Sequence, residues 1–377
     1  MSRLTIISHT EHYKKANGSL LGLGPTVTEL NALLAIFDTI THVAMLHDTE
    51  APPSALPYVS DRIKFVALPA VGGPRFSDKI RLITASLGVI RTVRTALKTA
   101  DYFQFRAPTG IGVYVLPYLL FFASQKGWFK YAGNWKQTQA PLAYRFQKWL
   151  LEKQRCPVTI NGFWPDQPSH CLSFENPCLT ADDLAEGQAV QKAKTRNYPL
   201  DLCFVGRLEA AKGVDLLLET LGGLDVATRQ KLGNIHLVGA GVGLAAYQAQ
   251  AEALGLSVIF HGFLSRSAVH GIYKRSHAIV LPSASEGFPK VIAEALNFGC
   301  IPVVSDVSSI SHYVKDGQTG FLIKRLDTAS LASCLKRVLD LESVGYKELK
   351  GVTEAELARF TYDFYNKRLE QDILSSF

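Results

Sequence analysis

The chain has 377 residues, 47% hydrophobic and 19% charged, with a formal net charge of +7. This length and balance allow two domains with separate cores and exclude a disordered or low-complexity protein. The longest apolar run, Ile111 to Ala123, falls short of the roughly 20 residues that span a bilayer, and the opening Met-Ser-Arg-Leu-Thr-Ile-Ile-Ser-His turns polar too early for a signal peptide.

Through the first half, short apolar runs alternate with helical patterns, which predicts a βα sheet. Strands are expected at Leu4–Ser8, His42–Leu46, Ile63–Leu68, Tyr102–Phe105, Phe129–Ala132 and Val158–Asn161. His9 and His12 fall in the loop expected after the first strand. Thr26 and Glu29 have the spacing of a capping box, and Leu30, Leu33, Leu34 and Phe37 follow at helical period. Between Phe121 and Lys153 basic and aromatic residues mingle, as in Trp128-Phe129-Lys130 and Lys148-Trp149. The positive charge calls for an anionic partner. No nucleic-acid module and no dense Lys/Arg run is present, so nucleic acid is not expected. Two readings of the mixed stretch stay open: contact with an anionic membrane surface, or helices with a solvated basic face.

A domain boundary is expected near Phe174-Glu175-Asn176-Pro177, followed by a polar stretch to Tyr198-Pro199. The domains are therefore 1–175 and 176–352, with an amphipathic helical tail over 353–377. Second-half strands are predicted at Leu200–Val205, Ile235–Val238, Val258–Phe260, Ala278–Leu281 and Ile301–Ser305, nearly continuous apolar runs that suit parallel strands covered on both faces. The first runs into Gly206-Arg207-Leu208-Glu209-Ala210-Ala211-Lys212-Gly213 and then a helix. Arg207 and Lys212 thus lie at the carboxyl edge of a sheet, where two cations can clamp a diphosphate. Gly239-Ala240-Gly241 makes a tight turn after the next strand, and Gly262 ends the one after it.

Between Ser283 and Asp306 the chain reads Ser-Ala-Ser-Glu-Gly-Phe-Pro-Lys-Val-Ile-Ala-Glu-Ala-Leu-Asn-Phe-Gly-Cys-Ile-Pro-Val-Val-Ser-Asp. Pro289 suits the first helical position and Gly299 the position just past the end. Glu286 then lies in the loop before the helix and Glu294 on its second turn. The helix start between them attracts a phosphate through its N–H groups and dipole, and an anion would offset the unfavourable first-turn Lys290. Amide donors would come from Gly287, Phe288 and Lys290, since Pro289 has none. Glu294 can accept two hydrogen bonds from a vicinal diol such as a ribose. A sugar nucleotide fits this pattern.

Glu286 and Glu294, separated by seven residues that include Gly287-Phe288-Pro289, resemble the paired-glutamate motif of retaining glycosyltransferases of the GT-B fold, within group 1, glycosyltransferase family 4. Gly206-Arg207 with Lys212-Gly213 is similar to that family's Gly-Arg…Lys-Gly element. The resemblance implies an α/β protein of two Rossmann-like domains facing each other across a cleft, with the tail returning to the first domain. It implies a nucleotide-sugar donor, a glycan or polyprenyl-linked acceptor, and retention of anomeric configuration. Donor contacts would fall at Gly206, Gly239, Gly241, Gly262, Gly287, Phe288, Pro289, Lys290 and Glu294. Catalytic roles would fall to Glu286, Arg207 and Lys212. Arg106, where family members often place a histidine, would be a fourth catalytic group, and Gly18, Gly22 and Gly24 stand for a glycine-rich loop. Surface polysaccharide synthesis at the inner face of the membrane is the expected setting.

Six scattered cysteines without a CxxC pair read as buried thiols of a reducing, cytoplasmic compartment. No Asp-x-Asp pair or His/Asp cluster has metal-ligand spacing, so neither a metal nor another cofactor is expected. A sugar-nucleotide epimerase and a catalytically silent binding subunit are the alternative functions.

Overall fold

The computed structural model describes residues 1–73 and 75–377. The chain divides into two compact units, 1–175 with 362–377, and 176–361. The first break falls where the composition changes, at Glu175-Asn176. The return to the first unit begins at Tyr362 rather than at residue 353. Leu357 and Phe360 are buried in the core of the second unit, whereas Tyr365, Leu369 and Ile373 join Leu4, Ile6, Leu33 and Trp128 in the first. The tail accordingly breaks into the helix Glu354–Ala358 and a second helical run, Tyr362–Arg368 followed by a π-turn Leu369–Ile373 and a 3-10 turn Leu374–Ser376.

In the first unit the strands are β1 (Arg3–Lys14), β2 (Leu20–Leu23), β3 (Thr39–His47), β4 (Ala55–Leu56), β5 (Ile63–Pro69), β6 (Tyr102–Ala107), β7 (Lys126–Tyr131), β8 (Val158–Ile160) and β9 (Cys171–Ser173). Seven of them run parallel in the order β5-β3-β1-β6-β7-β8-β9. β1 outruns its predicted end. Past a register shift against β3 it continues to Lys14 and pairs antiparallel with β2, which in turn pairs with β4. His9 and His12 therefore lie on a strand, not in a loop. The helix Gly24–Leu33 starts two residues before the expected cap, with Leu23 at the N-cap and no side-chain cap bond. Thr26 and Glu29 form no capping box because the Glu29 carboxylate turns inward to two cations. The mixed basic-aromatic stretch is likewise not one surface: Trp128, Trp135 and Lys130 are buried.

The second unit holds β10 (Leu200–Val205), β11 (Leu232–Val238), β12 (Val258–Gly262), β13 (Ala278–Leu281), β14 (Ile301–Ser305) and β15 (Phe321–Ile323), all parallel, in the order β12-β11-β10-β13-β14-β15. The order reverses between β10 and β13, which makes their carboxyl ends the switch point of a doubly wound sheet. The polar stretch before β10 is a helix, Ala181–Ala193, held by a capping box. Asp183 N–H donates to Thr180 Oγ1 at 3.1 Å, and Thr180 N–H donates to Asp183 Oδ2 at 2.7 Å.

The first unit buries a polar chain under the β2 hairpin. Ser8 Oγ lies 2.8 Å from His42 Nε2, and Tyr58 OH lies 2.7 Å from both His42 Nδ1 and His12 Nε2. Burial pulls His12 down to about 4 and holds His42 well below the ordinary imidazole value. Both rings are therefore neutral at pH 7. Unfolding would release them to ordinary values near 6.5, so the unfolded chain binds more protons between pH 6.5 and 4, and stability falls as pH drops through that window. Melting temperatures measured from pH 7 to pH 4 should show this decline, and His12→Gln should flatten it. An unchanged slope in the variant would place the acid sensitivity elsewhere.

Candidate functional site

Three loops meet at the carboxyl edge of the second sheet, and their backbones approach more closely than side chains would permit. A Cβ on Gly213 would lie 2.2 Å from the Pro282 carbonyl oxygen, one on Gly239 1.8 Å from the Gly206 oxygen, and one on Gly241 2.1 Å from the Leu208 oxygen. Gly213 and Gly239 also have positive φ, +77° and +140°. Backbone bonds join the same loops: Gly206 N–H donates to Val238 O at 3.0 Å, Leu208 N–H to Ala240 O at 3.1 Å, and Ala284 N–H to Ala211 O at 3.0 Å. The loop 206–213 is thus clasped between the turn after β11 and the loop after β13. Gly206, Gly239 and Gly241 serve this mutual approach first. Gly262 differs: φ is +64° and nothing lies within 4 Å of its would-be Cβ.

This clasp brings Lys212 to Glu286, 74 residues later in the chain. Lys212 Nζ donates to Glu286 Oε1 at 2.5 Å, with side chains 23% and 13% exposed. Arg207 lies on the same loop as Lys212 with its side chain 76% exposed, 3.4 Å from Glu209. The structure thus joins Lys212 to Glu286 and leaves Arg207 exposed on the Lys212 loop, while Arg106 lies in the first unit.

The segment after β13 is anchored from below. The Phe288 side chain is buried against Tyr313 and Phe360, with ring centroids 4.6 and 5.3 Å away, so only its backbone faces the loop. Ser309 Oγ donates to the Gly287 carbonyl at 3.2 Å. The neighbouring Ser308 is held at φ +54°, the one positive-φ non-glycine among the described residues. The helix runs Lys290–Asn297 with Pro289 as N-cap. Pro289 is one residue outside the predicted start because its ψ of 125° is extended. Gly299, at φ +69°, closes the helix as expected.

Glu294 sits on the second turn, its side chain 14% exposed. Tyr273 OH donates to its Oε2 at 3.3 Å, and Arg266 Nε lies 4.0 Å from Oε1. Burial raises the Glu294 carboxyl above its ordinary value, while the positive charges of Arg266 and Lys290 oppose the rise. Arg266 is itself fixed by Asp183, at 3.1 and 2.6 Å, and by the Cys178 carbonyl at 2.6 Å. Burial and the Arg266 charge hold His270 at about 4.

Arg266, Tyr273, Asp183 and Ser309 were not singled out in the sequence. Arg266 could have been, since it opens a helix a few residues after a strand, where a sheet's carboxyl edge gathers ligands. Ser283 Oγ, at the end of β13, is buried without a hydrogen-bond partner.

Arg106 lies in the other unit, where it shares one carboxylate with Lys130. Its Nη2 donates to Glu29 Oε1 at 2.9 Å and its Nε to Gln104 at 2.9 Å, while Lys130 Nζ reaches the same Glu29 oxygen at 2.6 Å. His9 is half-buried beside Gly72 and Gly110, and burial lowers its affinity for a proton. Of the glycines proposed for a glycine-rich loop, Gly18 turns the hairpin, Gly22 packs on His12, and Gly24 starts the helix. All six cysteines are free thiols. Among the described residues no cluster of three His, Cys, Asp or Glu side chains is placed to hold a metal ion, and no helix is long and apolar enough to cross a membrane.

Residues 188–353, within the second unit, match the family model described as glycosyl transferases group 1. A D-inositol 3-phosphate glycosyltransferase of Geodermatophilus obscurus is 34% identical over 164 residues, 40% of this chain and 36% of that protein. A Campylobacter jejuni N-acetyl-D-galactosaminyltransferase, named for an undecaprenol-diphosphate-linked glycan, is 27% identical over 171 residues, 45% of each protein. The chain thus spans less than half the length of these two relatives. Among solved structures, sucrose-phosphate synthase from Thermosynechococcus elongatus superposes with a TM-score of 0.73 at 17% identity, covering 98% of both chains. HepE from Anabaena, in complex with UDP-glucose, gives 0.69 at 16% identity over all of both chains. These likenesses show the GT-B fold for the chain.

The clasp makes a clear stability prediction. Gly239→Ala should destabilise the protein by about 3 kcal/mol or more, since it meets both a glycine-only torsion and a backbone oxygen. Gly262→Ala, in open space, should lose only about 1 kcal/mol. Denaturant unfolding of the two variants checks the contrast, and equal losses would refute the clasp.

Proposed function

We propose that this chain is a glycosyltransferase that moves a sugar from a nucleoside diphosphate sugar to a glycan or polyprenyl-linked acceptor with retention of configuration. The observation that carries the reading is the Lys212–Glu286 pair at the switch point, with exposed Arg207 on the Lys212 loop and a second, buried carboxylate, Glu294, eight positions after Glu286. Lys212 and Glu286 neutralise each other across two loops. A diphosphate arriving between Arg207 and Lys212 would compete for the lysine and leave Glu286 to accept hydrogen bonds from the sugar. Glu294 would accept from the ribose diol. The similarity of residues 188–353 to group 1 glycosyl transferases supports this assignment of the second unit.

The reaction follows from that placement. The bond between the anomeric carbon and the β-phosphate oxygen breaks, and the acceptor oxygen bonds to the same face of that carbon. The acceptor proton passes to an oxygen of the departing diphosphate. Arg207, Lys212 and the helix start at Lys290 stabilise the growing negative charge, so protein cations rather than a resident metal supply the compensation. Orientation supplies the rest. The acceptor falls to the first unit. Arg106 would act there by positioning, since its charge is already engaged. A lipid-linked acceptor places the work at the inner membrane face, in surface polysaccharide synthesis.

Thermal-shift screening against nucleotide sugars, followed by product analysis with lipid-linked and soluble acceptors, tests the reading. The matching donor should raise the melting temperature, because it binds only the folded state. Arg207→Ala and Lys212→Gln should each cut turnover about 100-fold or more at near-unchanged melting temperature. Activity surviving in both would refute the clamp. Epimerised sugar released from donor alone would replace the transferase with an epimerase. Ligand binding without any transfer would replace it with a binding subunit.

Glu294→Gln separates binding from folding. A buried carboxyl with a raised pKa adds stability in its protonated form at low pH, and that stability is lost as pH rises through the folded value. The glutamine removes this penalty near neutrality. Its melting temperature at pH 7 should equal or exceed that of the parent protein, while donor affinity falls about tenfold or more through loss of a charge-assisted contact. A variant that unfolds early would assign Glu294 to structure.

A further inference from the structure

The first unit carries an unpartnered helical stripe that no part of the proposed transfer uses. Helices Phe76–Thr84 and Ser86–Leu97 follow each other with only Ala85 between them, and Ala85 keeps helical torsions. Phe76, Ile80, Ile83 and Leu87 recur at spacings of four, three and four, which puts them on one face at about 100° per residue. They are 77%, 48%, 69% and 71% exposed. Buried Val89, Val93 and Leu97 define the opposite side. The exposed stripe then continues at the same spacing as Arg91, Arg94 and Lys98.

Charge identifies the occupant. From residue 75 to 98 there are six cations, all exposed, and a single acid, Asp78. Asp78 is turned to its own helix start, where Oδ2 accepts from Arg75 N–H at 3.1 Å. Val89 and Val93 share a core with Val115, Leu116 and Leu151, so helices Gly112–Phe122 and Leu142–Lys153 lie in the same layer. That layer turns outward Phe121, Phe122 and Trp149, at 71%, 76% and 53% exposure, together with Arg145. Large apolar side chains interleaved with unpaired positive charge, on one side of one unit, match an anionic lipid surface: the rings and aliphatic chains enter the acyl boundary while the cations meet lipid phosphates.

We infer that the face formed by residues 76–98 docks this protein on anionic phospholipid bilayers. The inference goes beyond the transfer reaction and is read without catalysis, so its failure would leave the transferase reading standing. Cosedimentation of the full chain with phosphatidylcholine vesicles, with and without phosphatidylglycerol, tests it. Binding should be strong only with the anionic lipid and should weaken with salt. Ile80→Glu with Ile83→Glu should lower partitioning about tenfold or more. Arg91→Ala with Arg94→Ala should lower it roughly 30-fold, from about 1 kcal/mol per cation. These side chains are exposed, so melting temperatures should not move. Absent binding to anionic vesicles, equal binding to neutral ones, or undiminished binding by both double variants would overturn the inference. So would light scattering that shows a dimer dispersed by Ile80→Glu with Ile83→Glu, since the face would then belong to a second copy.

Discussion

The site depends on a steric constraint: three loops at the carboxyl edge of the second sheet lie closer together than a Cβ allows. Gly213 under the Pro282 carbonyl and Gly239 under the Gly206 carbonyl set that spacing. Without it, Lys212 and Glu286 would hang from separate loops on flexible stems, and their pairing would carry a large entropic penalty. With it, the two loops are locked by backbone hydrogen bonds, and the ion pair forms between groups already in place. The glycines therefore act before any ligand does. A backbone that can approach another backbone so closely can also approach a phosphate.

The second unit was the more legible half. β10, β13 and β14 were bounded correctly from their apolar runs, because a strand buried on both faces writes its limits directly into hydropathy. The charged residues of the site were legible for a related reason: they follow such strands at once, in loops where the sheet topology gathers ligands. The extension of β1 was hidden because His-Thr-Glu-His-Tyr-Lys reads as polar. His12, on the stretch that pairs with β2, faces a buried hydroxyl network rather than solvent, while His9 lies half-buried beside Gly72 and Gly110. The Ala181–Ala193 helix had a Thr-x-x-Asp start that its polar composition masked.

Long-range polar partners were not legible at all. Glu29 has the spacing of a capping residue, yet its carboxylate serves Arg106 and Lys130, 77 and 101 residues away. Local spacing offers one partner and tertiary packing another. The second prevails because two buried cations without a counter-charge would be far costlier than an uncapped helix start. The same competition explains why the first unit resists a functional reading. Glu29, Arg106 and Lys130 engage one another there, as do Ser8, His42, Tyr58 and His12, whereas Arg207 of the second unit stays largely exposed.

Glu294 shows how the second unit holds a buried, incompletely paired carboxylate at the expense of folding. A carboxylate with most of its surface buried would ordinarily be replaced by an apolar residue or given a full set of donors. Here it has one 3.3 Å bond from Tyr273 and an arginine at 4.0 Å whose closer ties are to Asp183 and the Cys178 carbonyl. Arg266 thus lends charge without closing over the carboxylate. The helix 181–193, through Asp183, fixes the arginine at that intermediate distance. Were Asp183 absent, Arg266 could swing onto Glu294 and satisfy it, gaining stability while losing the open acceptor that we propose for a ribose diol. The capping box at Thr180, remote from the paired glutamates in sequence, is in this sense part of the site.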